Sequence, residues 1–286
     1  MFKTKHYNLK NKKKISFRRN RKINSFLSEL NINTICTNAL CPNISECFSK
    51  KHLTFLILGD ICTRNCRFCG VKHGRPHLID RDEPLRIKTA VKKLGLNHVV
   101  ITSPTRDDLK DGGASVFAGT TTIIKQYNPD ICVELLIPDF NGNEKSLQTV
   151  INSNPDIIGH NIETVPRLYK IRTGADYIRS LSILKTIKYI DPSVKTKSCL
   201  MLGLGETDNE IIKTMKDIKK TGCNFFCLGQ YLAPRKSNYP VKEYINPDNF
   251  EKYKQIAYSI GFEHVESGFY VRSSYKAQEY LNETKI

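Results

Sequence analysis

Short apolar runs alternate with longer amphipathic segments along most of this chain, and this alternation constrains the fold more than any other feature. The apolar runs lack the polar–apolar alternation of half-buried strands, which is typical of parallel strands buried on both faces. They predict strands at residues 54–58, 98–102, 131–136, 156–161, 194–201 and 224–228, and a further short strand at 264–266. The segments between them predict helices at residues 83–94, 113–127, 144–152, 177–190, 208–221 and 248–260.

Six strand–helix units in series predict an α/β fold with a parallel sheet and right-handed crossovers. The number and length of the strands favour a partial (βα)6 TIM-like barrel, with a three-layer open sheet as the alternative. Thr207 and Glu210 predict a capping box, and Gly95, Gly222 and Gly261 stand where helices should end. In barrels of this kind, functional side chains lie on the loops after the C-terminal ends of the strands.

The positive charge of the chain is concentrated at its N-terminus. The formal net charge is +17, and residues 1–28 contain ten Lys and Arg and no acid, which leaves +7 for the rest. Such a run predicts a solvated, poorly ordered arm, with nucleic-acid contact and an organellar transit peptide as alternatives. No stretch approaches the roughly 20 apolar residues of a transmembrane helix, and no secretory signal is visible. We expect a cytoplasmic protein with no membrane and no specific nucleic-acid partner; organellar targeting is the alternative.

Ten cysteines are many for 286 residues, and six of them fall between residues 36 and 69. Without an export signal the compartment should be reducing, and clustered cysteines there serve metal binding or catalysis rather than disulfides. The remaining four lie in apolar segments and are expected to pack in the core as small hydrophobes. They are Cys132, Cys199, Cys223 and Cys227.

Cys62, Cys66 and Cys69 form a C-x3-C-x2-C motif directly after the first predicted strand, and we call them the barrel triad. Three thiolates on one loop can bind three irons of a 4Fe–4S cube, which leaves the fourth iron open for a small molecule. A zinc site completed by His73 is the alternative, although structural zinc sites usually take two closely spaced pairs of ligands. The position after a barrel strand favours chemistry over a structural clip.

Cys36, Cys41 and Cys47 form a second group, C-x4-C-x5-C, which we call the N-terminal triad. Its spacing fits no zinc finger and no redox C-x-x-C motif. The residues between these cysteines, Pro42, Asn43 and Ser45 among them, predict a loop that wraps a metal group. Far away in sequence, Arg272-Ser273-Ser274-Tyr275 would by itself indicate only a polar surface turn.

The barrel triad resembles the radical S-adenosylmethionine (SAM) superfamily, and the three motifs together resemble the lipoyl synthase family over roughly residues 31–280. The chain departs from the family's usual pattern at Gly70, where Asp is frequent, and in lacking a lead-in with Lys-Pro and Trp. Further segments share the resemblance: Gly74-Arg-Pro76, Arg106-Asp-Asp-Leu109, Asp111-Gly-Gly-Ala114, Asn161-Ile-Glu-Thr-Val-Pro-Arg-Leu168, Gly203-Leu-Gly-Glu-Thr207 and Gly229-Gln-Tyr-Leu232.

The resemblance implies a sulfurtransferase with two 4Fe–4S clusters. At the barrel triad, the open iron would chelate SAM, whose reductive cleavage yields a radical that abstracts hydrogen from unactivated C–H bonds. Cys36, Cys41, Cys47 and Ser273 would hold an auxiliary cluster that donates sulfur to C6 and C8 of an octanoyl chain on a carrier-protein lysine. Because iron–sulfur clusters prefer thiolates, we expect a serine oxygen to hold its iron less firmly and to release it as sulfur is given up.

The resemblance also implies candidate SAM contacts on the loops of the barrel. Gly112 and Gly113 would allow close backbone approach to a cofactor, with a helix-entry turn as the alternative. Asn161 and Glu163 end the fourth predicted strand at the presumed catalytic face. The full candidate set is Thr102, Gly112, Gly113, Asn161, Glu163 and Arg179.

The resemblance implies four segments: a basic arm at 1–30, an auxiliary-cluster extension at 31–52, a radical SAM barrel at 53–270 and a C-terminal segment with the serine ligand at 271–286. The implied partners are octanoylated lipoyl carriers, namely lipoyl domains of 2-oxoacid dehydrogenases and the glycine-cleavage carrier, with reduced ferredoxin or flavodoxin as electron donor. Competing functions are a radical methylthiotransferase, a biotin-synthase-like enzyme and a basic zinc protein that binds RNA.

Overall fold

Strands and helices alternate through the computed structural model, which describes residues 17–282. The strands are β1 (Asn33–Thr34), β2 (Thr54–Leu56), β3 (Ile61–Cys62), β4 (Lys72–His73), β5 (His98–Thr102), β6 (Cys132–Leu136), β7 (Ile157–Gly159), β8 (Lys195–Leu202), β9 (Phe225–Gln230) and β10 (His264–Gly268). The α-helices are α1 (Phe17–Glu29), α2 (Ile35–Asn38), α3 (Ile44–Ser49), α4 (Glu83–Leu94), α5 (Ala114–Tyr127), α6 (Glu144–Ile151), α7 (Tyr177–Ile190), α8 (Asp208–Lys220), α9 (Pro247–Ile260) and α10 (Glu279–Asn282).

Eight of these strands form one sheet in the order β1-β2-β5-β6-β7-β8-β9-β10. Only β1 runs antiparallel to its neighbour, and every other pair is parallel. A helix from α4 to α9 follows each of the six parallel strands from β2 to β9. Because β10 pairs with β9 alone within residues 17–282, the sheet does not close. The predicted partial (βα)6 barrel is confirmed, as is the additional last strand.

The predicted helix boundaries are confirmed where the sequence carried capping residues. Thr207 accepts from the backbone N–H of Glu210, and the Glu210 carboxylate accepts from the N–H of Thr207, which completes the predicted box. Gly95 and Gly261 adopt left-handed conformations at the C-caps of α4 and α9. Helix α7 begins and ends at the predicted residues, and the Asp176 side chain caps its first turn.

Three of the four scattered cysteines lie in the core, as predicted. Cys199, Cys223 and Cys227 are at most 4% exposed, and Cys132 is half-buried beside His98. The parallel strands of the eight-stranded sheet are mostly buried, and every residue of β9 is buried. Among the residues that the structure describes, no helix is both long and apolar enough to span a bilayer.

The prediction of a poorly ordered basic arm is wrong for its second half. Residues 17–29 form helix α1, whose Ile23 and Leu27 side chains are buried in the main core cluster, with Phe26 and Leu30 packed against it. These four positions recur at helical spacing, a pattern that the surrounding Arg and Lys concealed. Residues 1–16, with six of the ten basic side chains, lie outside the described residues.

Candidate functional site

The N-terminal triad surrounds one cavity. Cys36 lies on α2, Cys41 on the connecting turn and Cys47 on α3, so the predicted loop contains two short helices. The backbone N–H of Cys41 donates to the carbonyl of Cys36 at 3.0 Å, which fixes the turn between these two cysteines. The three cysteines line the cavity together with residues of β2, β5 and the C-terminal segment, residues 269–280.

Two contacts hold the C-terminal segment against this cavity. The Asn43 side-chain amide, between the second and third cysteines, donates to the carbonyl of Tyr270 at 2.5 Å. Gly229 at the end of β9 lies so close to the segment that a Cβ atom there would stand 2.1 Å from the Val271 carbonyl oxygen. The sequence needs glycine at this position because the two backbones touch.

The structure places Ser274, rather than the predicted Ser273, at the N-terminal triad. Arg272, Ser274 and Tyr275 line the cavity, and Ser273 is not among its lining residues within the described part of the chain. The Ser273 hydroxyl instead donates to the Asn161 side-chain carbonyl at 3.0 Å. Both serines lie in a turn closed by the Tyr275 N–H, which donates to the Arg272 carbonyl at 2.9 Å, and their side chains face different sites. The lining of the cavity therefore favours Ser274 over the predicted Ser273 as the ligand.

The chemistry of the N-terminal triad fits a cationic iron–sulfur group. Burial, together with the charges of neighbouring thiols, raises the pKa of the Cys36 thiol to about 11 and that of Cys47 to about 12. Thiols with raised pKa values, such as those of Cys36 and Cys47, become thiolates near neutral pH only when a metal group supplies compensating positive charge. Arg272 lies close enough to Cys41 for their charges to interact.

The barrel triad lies on the loop after β2, and loops after three other strands hold it in place. After β5, the Thr105 carbonyl accepts from the Thr63 N–H at 3.0 Å. After β7, the Ile171 carbonyl accepts from the Arg67 N–H at 2.8 Å. After β9, the Asn238 side-chain amide donates to the carbonyl of Cys69 at 2.9 Å. The predicted position at the carboxyl ends of the strands is confirmed.

Arg64, within the barrel triad's own loop, is a site residue that our sequence analysis missed. Its guanidinium binds the carboxylate of Asp107 at 2.7 Å and that of Asp139 at 2.8 Å. Burial opposes ionisation of Asp139, but the hydrogen bonds and charge of Arg64 outweigh it and lower the Asp139 pKa. The signal was a basic residue between two cysteines, and its partners come from loops that only the tertiary structure brings together.

The barrel triad is also prepared for a cationic group. Burial raises the pKa of Cys66 to about 12 and that of Cys69 to about 11. Backbone N–H groups of Arg64 and Val71 donate to the sulfurs of Cys62 and Cys69, at 3.3 and 3.5 Å. Such donors stabilise thiolates once a metal group has bound.

The other predicted SAM contacts divide into two groups. Asn161 and Glu163 lie beside the barrel triad, where the Glu163 charge raises the pKa of both Cys66 and Cys69. For the remaining four, which stay predictions, the structure shows the following protein contacts. The Thr102 hydroxyl donates to the carbonyl of Leu136, Cβ atoms on Gly112 and Gly113 would meet Phe140 and Leu58, and Arg179 pairs with Asp139.

The two triads adjoin each other. Gly70 directly follows the barrel triad, and a Cβ atom there would lie 3.0 Å from the carbonyl oxygen of Ala39, between the first two cysteines of the N-terminal triad. The same Cβ would lie 3.1 Å from the Pro234 side chain. The departure from the family's frequent Asp therefore coincides with close contact between the two cysteine segments.

The zinc alternative lacks a matching geometry. His73 pairs in register with Cys62 across the two-stranded sheet of β3 and β4, and both residues of β4 are exposed. Within residues 17–282, no group of three or more His, Cys, Asp or Glu side chains converges on the position of a single ion. A four-iron cube spreads its thiolates over separate corners and does not require that convergence.

Comparison with known proteins identifies the family. The model of the radical SAM superfamily matches residues 56–218. A lipoyl synthase of Geotalea uraniireducens is 55% identical over 94% of this chain and 95% of that protein. The lipoyl synthase of Caldicellulosiruptor saccharolyticus is 56% identical, covering 88% of this chain and 89% of that protein. The chain belongs to the lipoyl synthase family. Lipoyl synthases are radical SAM sulfurtransferases, with SAM and 4Fe–4S clusters as cofactors.

Solved structures support the fold of this lipoyl synthase family member independently. Methylornithine synthase superposes with a TM-score of 0.56 at 12% identity, over 74% of this chain and 70% of that one. SuiB of Streptococcus suis, bound to S-adenosylmethionine, superposes with a TM-score of 0.59 at 12% identity, over 78% of this chain and 53% of that one. At this identity the likeness concerns the barrel alone.

Proposed function

We propose that this chain inserts two sulfur atoms, at C6 and C8, into an octanoyl group carried on a lysine of a lipoyl-carrier protein. The observation that carries this proposal is the pairing of two cysteine triads across the contact between Gly70 and Ala39, with Ser274 in the cavity of one of them. An enzyme that generates a radical at one group and takes sulfur from another needs the two groups close together. Family membership supports the same chemistry.

Cys62, Cys66 and Cys69 are assigned to the cluster that binds SAM, and Cys36, Cys41, Cys47 and Ser274 to the auxiliary cluster. When bound, these groups supply hydrogen-atom abstraction from unactivated C–H bonds and the sulfur to be inserted. The proposed functional segments are residues 31–52, 53–270 and 271–286, and Ser274 in the last of these would complete the ligand set of the first.

The chain's own residues orient and hold these groups. Arg64 ties the loop of the barrel triad to Asp107 and Asp139, so that the three thiols keep a fixed arrangement. Asn161 and Glu163 present polar groups beside that triad, suited to the amino and hydroxyl groups of SAM. At the other triad, the Ser274 oxygen would be a harder ligand than sulfur, and it would hold its iron less firmly than a thiolate.

The proposed carriers are lipoyl domains of 2-oxoacid dehydrogenases and the glycine-cleavage carrier, with reduced ferredoxin or flavodoxin as electron donor and the cytoplasm as location. Carriers of this type are commonly acidic around the modified lysine, whereas residues 29–286 carry a net +7. Long-range attraction therefore favours their encounter, and we expect the KM for the carrier to rise with ionic strength. A KM that stays constant from low to high salt would contradict this electrostatic steering.

Iron and sulfide content of the anaerobically purified protein tests the assignment. We expect a brown protein with about eight irons per chain, and about four in Cys36→Ala. Ser274→Ala should change the spectrum of the auxiliary cluster, and Ser274→Cys should lower turnover by holding the iron more firmly. Cys223→Ala is the matched control, because this buried cysteine belongs to neither triad and its variant should keep both clusters. A colourless protein containing zinc would instead support the RNA-binding alternative.

A further inference from the structure

We propose that Ser273 is a positioning residue for SAM binding, acting through Asn161 on the carboxylate of Glu163. Through this chain of side chains, the segment that closes the auxiliary site also sets the polar surface of the barrel site. The inference rests on the proposed function, since it takes the barrel triad as the SAM site. It assigns a role to the serine that does not line the auxiliary cavity.

Three side chains form a continuous path between the two sites. The Ser273 hydroxyl donates to the Asn161 Oδ1 atom at 3.0 Å. The Asn161 Nδ2 atom donates to Glu163 Oε1 at 3.1 Å. Because Ser273 occupies the carbonyl oxygen, the amide must present its N–H₂ group to the carboxylate. Asn161 is only 8% exposed, so water has little access to replace Ser273 in this role.

The backbone of Glu163 is fixed by contacts that leave its side chain dependent on Asn161. Its N–H donates to the carbonyl of Cys199 and its carbonyl accepts from the N–H of Met201, both at 2.9 Å. Glu163 adopts a left-handed backbone conformation, with φ of +69°, which residues other than glycine rarely adopt. A conformation of this kind is retained where surrounding structure enforces it, commonly at functional sites.

Glu163 is also close to the barrel triad on its other side. Its charge interacts with Cys66, Cys69 and Arg172. A half-buried carboxylate here can accept hydrogen bonds from the amino or hydroxyl groups of SAM, provided that its orientation is fixed. Without Ser273, the Asn161 amide is free to rotate and to turn its carbonyl toward the carboxylate, which would repel it.

The adjacent serines thus divide two tasks within one short segment. Ser274 lies at the auxiliary cavity and Ser273 binds the barrel, so a shift of the segment moves both. Asn43 and Gly229 hold the segment from the other sides. The affinity for SAM therefore depends on whether the C-terminal segment is bound in place, and hence on whether the auxiliary site is complete.

The test measures SAM affinity of the anaerobic holoenzyme by equilibrium binding, together with the electron paramagnetic resonance signal of the reduced barrel cluster. We expect Ser273→Ala to weaken SAM binding roughly five- to tenfold, the effect of losing one partly buried hydrogen bond. Ser273→Thr, which keeps the hydroxyl, should restore affinity. Iron content and the unfolding midpoint of Ser273→Ala should match those of the wild type, which excludes a general structural effect.

A double-mutant cycle with Asn161→Ala sharpens the test. If Ser273 acts through Asn161, then Ser273→Ala should weaken SAM binding no further in the Asn161→Ala background. Additive losses, or wild-type SAM affinity in Ser273→Ala, would overturn the positioning role and leave the proposed function intact. If instead Ser273→Ala lost the auxiliary-cluster signature and Ser274→Ala kept it, the ligand assignment of the proposed function would be the part that fails.

Discussion

The two triads are built in different ways. The barrel triad occupies one loop of eight residues, Cys62 to Cys69, which loops after three other strands clamp. The N-terminal triad lies on two short helices and is completed by a segment more than 200 positions away in sequence, tied by Asn43. A group that must bind a cofactor repeatedly benefits from rigid support, whereas a group that gives up sulfur must be opened and rebuilt. The difference in construction matches that difference in task.

Removing one ligand from each triad gives the largest contrast. Cys62→Ala and Cys36→Ala should both abolish lipoyl formation, because each removes one of the protein ligands of one cluster. Only Cys36→Ala should still cleave SAM reductively, since its barrel triad is intact. Assays of 5′-deoxyadenosine release and of lipoylated carrier, on the same anaerobic samples, separate the two. Loss of SAM cleavage in Cys36→Ala would show that the triads are not independent.

Displacing the C-terminal segment should remove the cluster of the N-terminal triad, whereas the barrel triad should keep its iron. In Gly229→Ala the new Cβ would stand 2.1 Å from the Val271 carbonyl oxygen, so the segment must move. We expect a loss of about 1–3 kcal/mol in the free energy of unfolding and loss of auxiliary iron, with the barrel cluster retained. Gly119→Ala is the control, because a Cβ at this position of α5 meets no atom within 4 Å. Equal iron content in both variants would contradict a role of the C-terminal segment in holding the auxiliary cluster.

Mild acid should lower the free energy of unfolding through His160, which directly follows β7 of the barrel. His160 is fully buried, and burial followed by the charge of Arg172 lowers its pKa from 6.5 to about 4. The unfolded chain therefore binds a proton that the folded chain does not, and stability falls as pH falls from 6.5 toward 4. Between about pH 7 and pH 5 the loss is about 2 kcal/mol.

Urea unfolding of anaerobic holoenzyme at both pH values checks this. His160→Gln retains a donor for the carbonyl of Ile137, to which the His160 Nδ1 atom bonds at 2.9 Å, and it should show a smaller acid loss. The difference between the pH dependences of the wild type and of His160→Gln excludes the acid sensitivity that the clusters contribute to both proteins. An identical pH dependence in the two proteins would mean that His160 does not control the acid response.

The smallest expected effect concerns the tie between the chain ends. Asn43→Ala leaves the carbonyl of Tyr270 without this partner and should cost about 1–2 kcal/mol. We expect faster release of auxiliary iron to a chelator, with unchanged release from the barrel triad. Asn24→Ala, an exposed position on α1, provides the control. Faster release from both clusters would show that Asn43 supports the whole fold instead.

Much of the fold was predictable because periodicity and caps act locally. Helices α4 and α7 have the predicted boundaries, and the barrel strands could be predicted from their apolar runs. Helix α1 was missed because its buried residues are few and its charges many. Both cysteine triads could be identified by spacing, since ligands to one group must lie close together in short loops.

The parts that escaped prediction depend on direction or on distant partners. Ser273 and Ser274 are chemically identical, and only the path of an irregular segment decides which one reaches the cavity. Arg64 matters because Asp107 and Asp139 approach from separate loops. His160 appeared as an ordinary strand residue, and its burial among charged groups became evident only in three dimensions.

The meeting of both chain ends at one cavity sets the order in which the enzyme can mature. Ser274 follows Cys47 by more than 220 residues, so the ribosome makes it long after the N-terminal cysteines. The auxiliary cluster can therefore acquire its full set of ligands only after the whole barrel between them has been synthesised. A chain terminated early would keep the barrel triad and lack the fourth ligand of its sulfur donor.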